Sequence, residues 1–228
     1  METIGLYVSV PVASFRVPRA REYFETFPIP PPATVYGMLL SMIGEVNRRV
    51  YEGAEIAIAL LSEPEYSVIL RTLWRVKNKH SGLGLSENRR PDFQELLTSV
   101  RLAFWIRDEE TAKNSLTKRI QMSFENPSIV NRFGGLCLGE STYLVDEVKL
   151  LKEIPEDVCQ FLLNDDDGDL SLPIWADHVG SSTTWGQYSL QEVELNQSIP
   201  ERAWTKIKRN PILPIIGQIN KTQANLFD

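Results

Sequence analysis

Residues 3–44, TIGLYVSVPVASFRVPRAREYFETFPIPPPATVYGMLLSMIG, decide how the rest of the chain is read. Thr3 to Ala13 alternate apolar with small or polar residues, the period of a strand with one buried face. A basic, aromatic loop follows, SFRVPRAREYFETFP. Pro28, Pro30, Pro31 and Pro32 then stiffen the chain, because proline fixes φ. Thr34 stands where an N-cap belongs, and Val35, Met38, Leu39, Met42 and Ile43 share one helical face. Gly44 is the stop signal of this helix, although the pattern is compatible with a continuation to Val50.

Working outward, AEIAIALLSEP (54–64), YSVILRTLWRV (66–76) and SVRLAFWIR (99–107) read as strands. Asp108 is expected to cap a second helix running to about Met122. Three later strands are expected in STYLVDEVKLL, LPIWADHV and TTWGQYSLQEVEL. The order strand, helix, strand, strand, helix, strand predicts an α+β protein of the ferredoxin-like β-α-β-β-α-β type. Many functions share that fold, so the site must decide between them.

At 43% hydrophobic and 24% charged residues the 228-residue chain has the composition of a globular protein with a real core. No run approaches the roughly 18 to 20 apolar residues of a membrane span. The N-terminus lacks a positive region ahead of its apolar stretch and reads as a strand, not a signal peptide. Cys137 and Cys159 give neither a disulfide framework nor a metal spacing, which points to a reducing cytoplasm. The net charge of −6 is unevenly spread: residues 1–145 carry 17 Lys/Arg against 16 Asp/Glu, residues 146–228 only 7 against 14. Nucleic acid is therefore sought in the first two thirds of the chain.

Chemistry-bearing motifs are scarce. His80 and His178 are the two histidines, and HExxH, GxSxG, a P-loop and a dinucleotide fingerprint are all lacking. GLGLSE (82–87) has no lysine-serine/threonine ending and reads as a hairpin tip rather than a phosphate loop. A Cys137 or Cys159 nucleophile with His178 has no local support, and buried structural cysteine is the stronger reading. NDDDGD (164–169) fails as a calcium loop, since the twelfth position counted from Asp165 is Ala176 instead of a glutamate. A solvated acidic loop accounts for it. No cofactor and no metal is expected.

Two basic, aromatic segments carry the positive signal. The first holds Phe15, Arg16, Arg19, Arg21, Tyr23, Phe24 and Phe27. The second runs from Arg71 to Arg90, with Arg71, Arg75, Lys77, Lys79, Arg89 and Arg90 against Glu87 alone, and Trp74 inside it. Arginine grips phosphate with a planar fork, and aromatic rings stack on splayed bases, the combination that single-stranded RNA binding uses. A solvated charged surface, with Phe15 and Trp74 as core residues, is the competing reading.

Residues 14–44 resemble the N-terminal signature of the CRISPR-associated Cas-five proteins of type I systems: a Ser/Phe-Arg-x-Pro element, a proline run, and a helix opening on Thr-Val-x-Gly-Met-Leu. LGESTYLVDEV (138–148) resembles a second element of that family, and RTLWRVKN with RRPDFQELLTSVRLAFWI resembles its thumb and return strand. The resemblance covers about residues 4–150 and only loosely the rest. It implies a ferredoxin-like, RNA-recognition type domain over 1–150, a thumb at about 72–97, and a β-rich extension over 151–228. It also implies a subunit of the Cascade complex that holds the 5′ handle of the crRNA. Such a subunit contacts the large subunit and the first backbone subunit, meets target DNA only through the complex, and has no membrane partner. The handle groove would take Ser14, Phe15 and Arg16, the loop to residue 27, Thr34 and Gly37. Gly37 has a plainer explanation in tight helix-on-sheet packing.

One branch of that family cuts precursor crRNA with a tyrosine, a lysine and a histidine. Its counterparts here would be His80, Lys77 or Lys79, and Tyr23 or Tyr36. Three of these fall in the expected flexible hairpin, a poor place for preorganised catalysis, so a non-catalytic subunit is expected. A structural bridging protein with incidental basic loops is the third reading.

Overall fold

The computed structural model describes residues 3–18, 23–74, 76–153, 160–177, 182–193 and 198–209. Arg19, Arg21, Arg75, Cys159 and His178 therefore lie outside the described residues. The described residues form a mostly antiparallel β-sheet carrying two α-helices, an α+β architecture.

The strands are β1 (Thr3–Ala13), β2 (Tyr23–Phe24), β3 (Glu55–Leu60), β4 (Glu65–Trp74), β5 (Arg89–Arg107), β6 (Glu147–Leu151), β7 (Gln160–Asn164), β8 (Leu170–Asp177), β9 (Ser182–Gln191) and β10 (Thr205–Lys206). Helix α1 spans Pro32–Ile43 and α2 spans Leu116–Glu125. Sheet order is β6-β1-β5-β3-β7-β9-β8, with β10 on β3 and both β2 and β4 on β5. Among the described strands only the two-residue β2 pairs in parallel.

Strand alternation sorts the core into two layers. Leu6, Val8 and Val10 of β1, Ile56 and Ile58 of β3, and Leu102, Phe104 and Ile106 of β5 face the helices. Ala57, Ala59, Ala103 and Trp105 face the other way and meet Phe161 and Leu163 of β7. Trp105 stacks on Phe161 with ring centroids 5.5 Å apart. Strands β7, β9 and β8 continue the sheet, and the segment around Ala203 and Trp204 covers its second face. An ionic lock holds that segment: Arg107 binds Glu55 and Glu201 and lies 4.3 Å over the Trp204 ring.

Several sequence expectations change. Helix α1 opens two residues earlier than expected, on Pro31 as its N-cap with Pro32 in its first turn, so Thr34 is not the cap. The Pro31 carbonyl accepts from the Thr34 and Val35 amides, a start that proline's fixed φ preorganises. The helix ends at Gly44 (φ 74) and does not reach Val50, because Gly44 is left-handed and its amide bonds back to Leu40 and Ser41. Asp108 does cap α2, but across a loop: its carboxylate accepts from the Leu116 and Thr117 amides while Ser115 is the N-cap. The strand expected at 141–151 begins only at Glu147. Strands β7 and β10 were not anticipated.

Burial raises the phenols of Tyr36 and Tyr188, the latter to about 12 despite its bond from the Thr205 hydroxyl. A phenol harder to ionise when folded stabilises the protein in full below its unfolded pKa near 10 and loses that contribution as pH rises through the folded value. Thermal melting is therefore expected to hold steady through pH 9 and fall between about pH 10 and 12. Tyr188→Phe should melt lower than the parent at pH 8 but show a shallower alkaline fall, measured by circular dichroism.

Candidate nucleic-acid interface

The two ends of the Phe15–Phe27 segment pair with each other. The Phe15 amide donates to Thr26 Oγ1 (2.8 Å), Phe27 N to the Phe15 carbonyl (2.8 Å), and Val17 N to the Glu25 carbonyl (2.9 Å). These bonds drive Ser14 and Phe15 into the core, where Phe15 is 2% exposed. Phe15 is thus a packing residue, unavailable for stacking on a base. Gly139 is the reason it fits: at φ 93, a Cβ there would lie 2.6 Å from the Ser14 carbonyl oxygen and 3.3 Å from the Phe15 ring.

Arg16 points the other way. It is exposed, and its guanidinium lies 3.8 Å from the centroid of the buried Phe24 ring. Arg71 approaches the same ring at 5.5 Å and is anchored by Glu140, Nη1 to Oε2 at 3.0 Å. Fully buried Gln94 donates to the other Glu140 oxygen at 3.1 Å. Tyr23 sits half-open beside Phe93, ring centroids 6.5 Å apart. Desolvation, then the Glu95 carboxylate, raises its phenol.

β4 and the first half of β5 form a long hairpin paired from Glu65↔Thr98 to Trp74↔Arg89. It starts well before residue 72. One face carries Arg71 and Arg90, and both are engaged: Arg90 pairs with buried Asp92 at 2.6 Å. The other face presents Tyr66, Leu70, Phe93 and Trp74, which is 70% exposed. Strand YSVILRTLW is therefore an open surface.

The tip is more ordered than its glycines imply. Asn88 is wholly buried, accepts from the Lys77 and Asn78 amides (both 2.8 Å), and donates to the carbonyls of Asn78 and Ser81. Gly84 (φ 72) lies under the Trp74 ring, where a Cβ would be 2.8 Å from Cε2. Lys77, Lys79 and Arg89 are exposed around this frame. Tyr36 is fully buried with its hydroxyl donated to the Arg48 carbonyl (2.6 Å).

Thr34 and Gly37 lie elsewhere, on the half-exposed stripe of α1. A Cβ on Gly37 would meet nothing within 4 Å, so tight packing does not explain this glycine. It opens onto a cavity of about 320 Å³ lined also by Ser41, Arg48, Arg132 and Phe133. Arg132 and Phe133 were missed in the sequence, although NRFGG combines a cation, an aromatic and two glycines. Cys137 is half-buried rather than deeply buried. Asp165, of the acidic loop, accepts from Ser189 Oγ at 2.9 Å, a turn-forming role. Among the described residues no group of three or more metal-binding side chains occurs, and no helix is long and apolar enough to cross a membrane.

The chain is 40% identical over 215 residues to "CRISPR-associated protein Cas5" of Myxococcus xanthus (strain DK1622), a match covering 93% of this chain and 97% of that protein. A solved "CRISPR RNA-guided surveillance complex" contains a chain of the same fold, with TM-score 0.59 at 11% identity over 92% of this chain and 94% of that one. A "Crystal structure of Cas protein" aligns at TM-score 0.49 over 83% of this chain and 94% of its own. No family model matches.

The opposite placements of Phe15 and Arg16 have a measurable consequence. Phe15→Ala is expected to cost about 3–5 kcal/mol of stability, the range for deleting a core aromatic. Arg16→Ala should cost at most about 1 kcal/mol, the scale of an exposed cation–π contact. Urea midpoints of the two variants check this, and unfolding of Arg16→Ala would make it a structural residue.

Proposed function

The chain belongs to the Cas5 family of CRISPR-associated proteins, and on that premise we propose that it is a non-catalytic crRNA-binding subunit of a type I Cascade complex. It holds the 5′ handle of the guide and touches the large subunit and the first backbone subunit. The order β6-β1-β5-β3, with α1 and α2 after β1 and β5, supports a ferredoxin-like core over residues 1–150. The β4–β5 hairpin is then the thumb, and residues 151–228 an extension that lengthens the sheet.

The observation that carries the reading is the hairpin itself. A flexible basic loop pays ordering entropy when it binds, whereas this one is preorganised by Asn88. It sets Lys77, Lys79 and Arg89 beside an exposed Trp74, cations for phosphate next to a ring for bases. Tyr23, beside Phe93, extends that face of the hairpin, while Arg16 lies over Phe24 on the face that carries Arg71.

Replacing Lys77, Lys79 and Arg89 together by alanine should weaken binding of handle RNA. It should also reduce the slope of log K against log salt by about 2, at roughly 0.7 per phosphate contact on a single strand. Arg90 is left intact because its loss would strand the buried Asp92 carboxylate. An unchanged slope, with equal affinity for scrambled RNA, would favour the bridging protein instead.

Geometry argues against the ribonuclease alternative. Tyr36 is buried and committed to a carbonyl. Tyr23 pairs with Phe93, four residues from Arg89, so the tip bearing His80 lies about 13 Å farther along the strand. A general base must come within about 3 Å of its proton. Precursor crRNA incubated with the purified protein without metal should remain intact. A discrete cut at the handle boundary that vanishes in His80→Ala would reverse this.

A further inference from the structure

The cavity beside α1 uses none of the residues that make the hairpin surface, and it is built around a side chain with no structural task. Phe133 is wholly exposed at the edge of a cavity of about 320 Å³. That volume is at the small end of the roughly 300–1,000 Å³ of ligand sites. A bare phenyl ring in water costs free energy and is held here by nothing it packs against.

The loop that carries it is anchored at Asn131. Gly44 (φ 74) receives the backbone of Asn131 so closely that a Cβ would lie 2.7 Å from the Asn131 carbonyl oxygen. The 131–135 loop is thereby seated on the C-terminal end of α1. Across the cavity α1 presents Gly37 and Ser41, small residues that leave the wall flat. Arg48 is held in place by donating Nη1 to the Ala176 carbonyl (2.7 Å), with its guanidinium 5.4 Å from the Trp175 ring centroid. Most of its five donors remain for another partner. Arg132 supplies a second cation at the mouth. The one acid in the lining, Glu45, turns Oε1 to the Asn47 amide (2.7 Å).

A flat aromatic ring, a glycine wall and two arginines match an unstacked nucleotide: the ring takes the base and the arginines take its phosphates. We propose that the cavity between α1 and the 131–135 loop receives one splayed nucleobase of the bound single-stranded RNA, stacked on Phe133. This rests on the RNA-binding reading above and adds to it a base-holding position away from the hairpin. Gly37 is then the residue that keeps the opposite wall clear.

The test uses the full chain and the RNA that copurifies with it, resynthesised with 2-aminopurine at one position at a time. One position should be quenched on binding more than its neighbours. Phe133→Ala and Gly37→Leu should each abolish that quench and weaken binding about tenfold, the scale of one lost base stack. Gly37→Leu should melt no lower than the parent, since its side chain enters open space and leucine favours the helix over glycine. If Gly37→Leu misfolds, Phe133→Ala decides alone, because that ring packs on nothing. Parental affinity and an intact quench in Phe133→Ala would overturn the pocket while leaving the handle reading standing. Failure of the unmodified protein to bind any RNA would sink the handle reading, and the pocket with it.

Discussion

Everything in this protein hangs on β5, a single strand of 19 residues. Its second half lies between β1 and β3 and is almost wholly buried. Its first half continues beyond the body of the sheet and pairs with β4 on one edge and with β2 on the other. The changeover falls at Ser99, whose φ of 56 marks an irregularity on the β3/β4 edge. There the pairing gains one residue between Leu60↔Leu102 and Glu65↔Thr98. Ser62 closes the gap, its hydroxyl donating to the Ser99 carbonyl (2.9 Å) and accepting from the Arg101 amide (3.1 Å). The extra residue lies in the 61–64 connection, while β5 pairs with β1 without a shift, so the hairpin's direction is inherited from the core. A free two-stranded hairpin is marginal in water, and continuity with β5 is what makes this one stable.

The brace on that hairpin comes from a distant part of the chain. Glu140 receives Arg71 from β4 and Gln94 from β5, while neighbouring Gly139 closes over Ser14 and Phe15. The two stretches most like the family signature, around residues 14–16 and 138–140, therefore meet in space. Physics explains their residue types without any ligand: glycine for close approach at a left-handed angle, phenylalanine for the core, and a carboxylate to neutralise a half-buried arginine. Arg16 is the member of this group whose charge is turned outward. A signature can thus mix folding residues with binding residues, and only geometry separates them.

That mixture also sets what the sequence could reveal. Strand β1, helix α1 with its proline entry and Gly44 exit, and strands β3, β8 and β9 were legible because period and punctuation agree there. The first half of β5 was not, since RRPDFQELL alternates polar and apolar residues for a surface open on one side, and its proline argues against a strand. β7 was missed because QFLLN is a short apolar run following an acidic, proline-bearing stretch. Phe15 was misplaced because an aromatic beside an arginine looks the same in sequence whether it faces in or out. Phe133 went unnoticed for the converse reason: its loop lacks the run of cations that drew attention to residues 71–90.

Net charge is the remaining apparent contradiction, a chain at −6 read as a binder of polyanions. Sheet order resolves it. The acidic surplus belongs to residues 146–228, and the loop around Asp165 joins β7 to β8. From β5 to β7, where that loop begins, is two strand spacings and to β8 four, about 10 and 19 Å at roughly 4.8 Å each. Physiological salt screens exposed charges beyond about 8 Å. Part of the acid is also spent inside the protein, with Glu201 held ionised below the usual carboxylate range by Arg107, and Asp165 facing Arg202. On the hairpin the same logic runs in reverse. Glu140 and Asp92 neutralise Arg71 and Arg90 on one face of the hairpin, where burial makes a lone charge costly, and Lys77, Lys79 and Arg89 stand outward where solvation costs nothing. A phosphate approaching the tip therefore meets those three cations and is screened from the acids that dominate the overall sum.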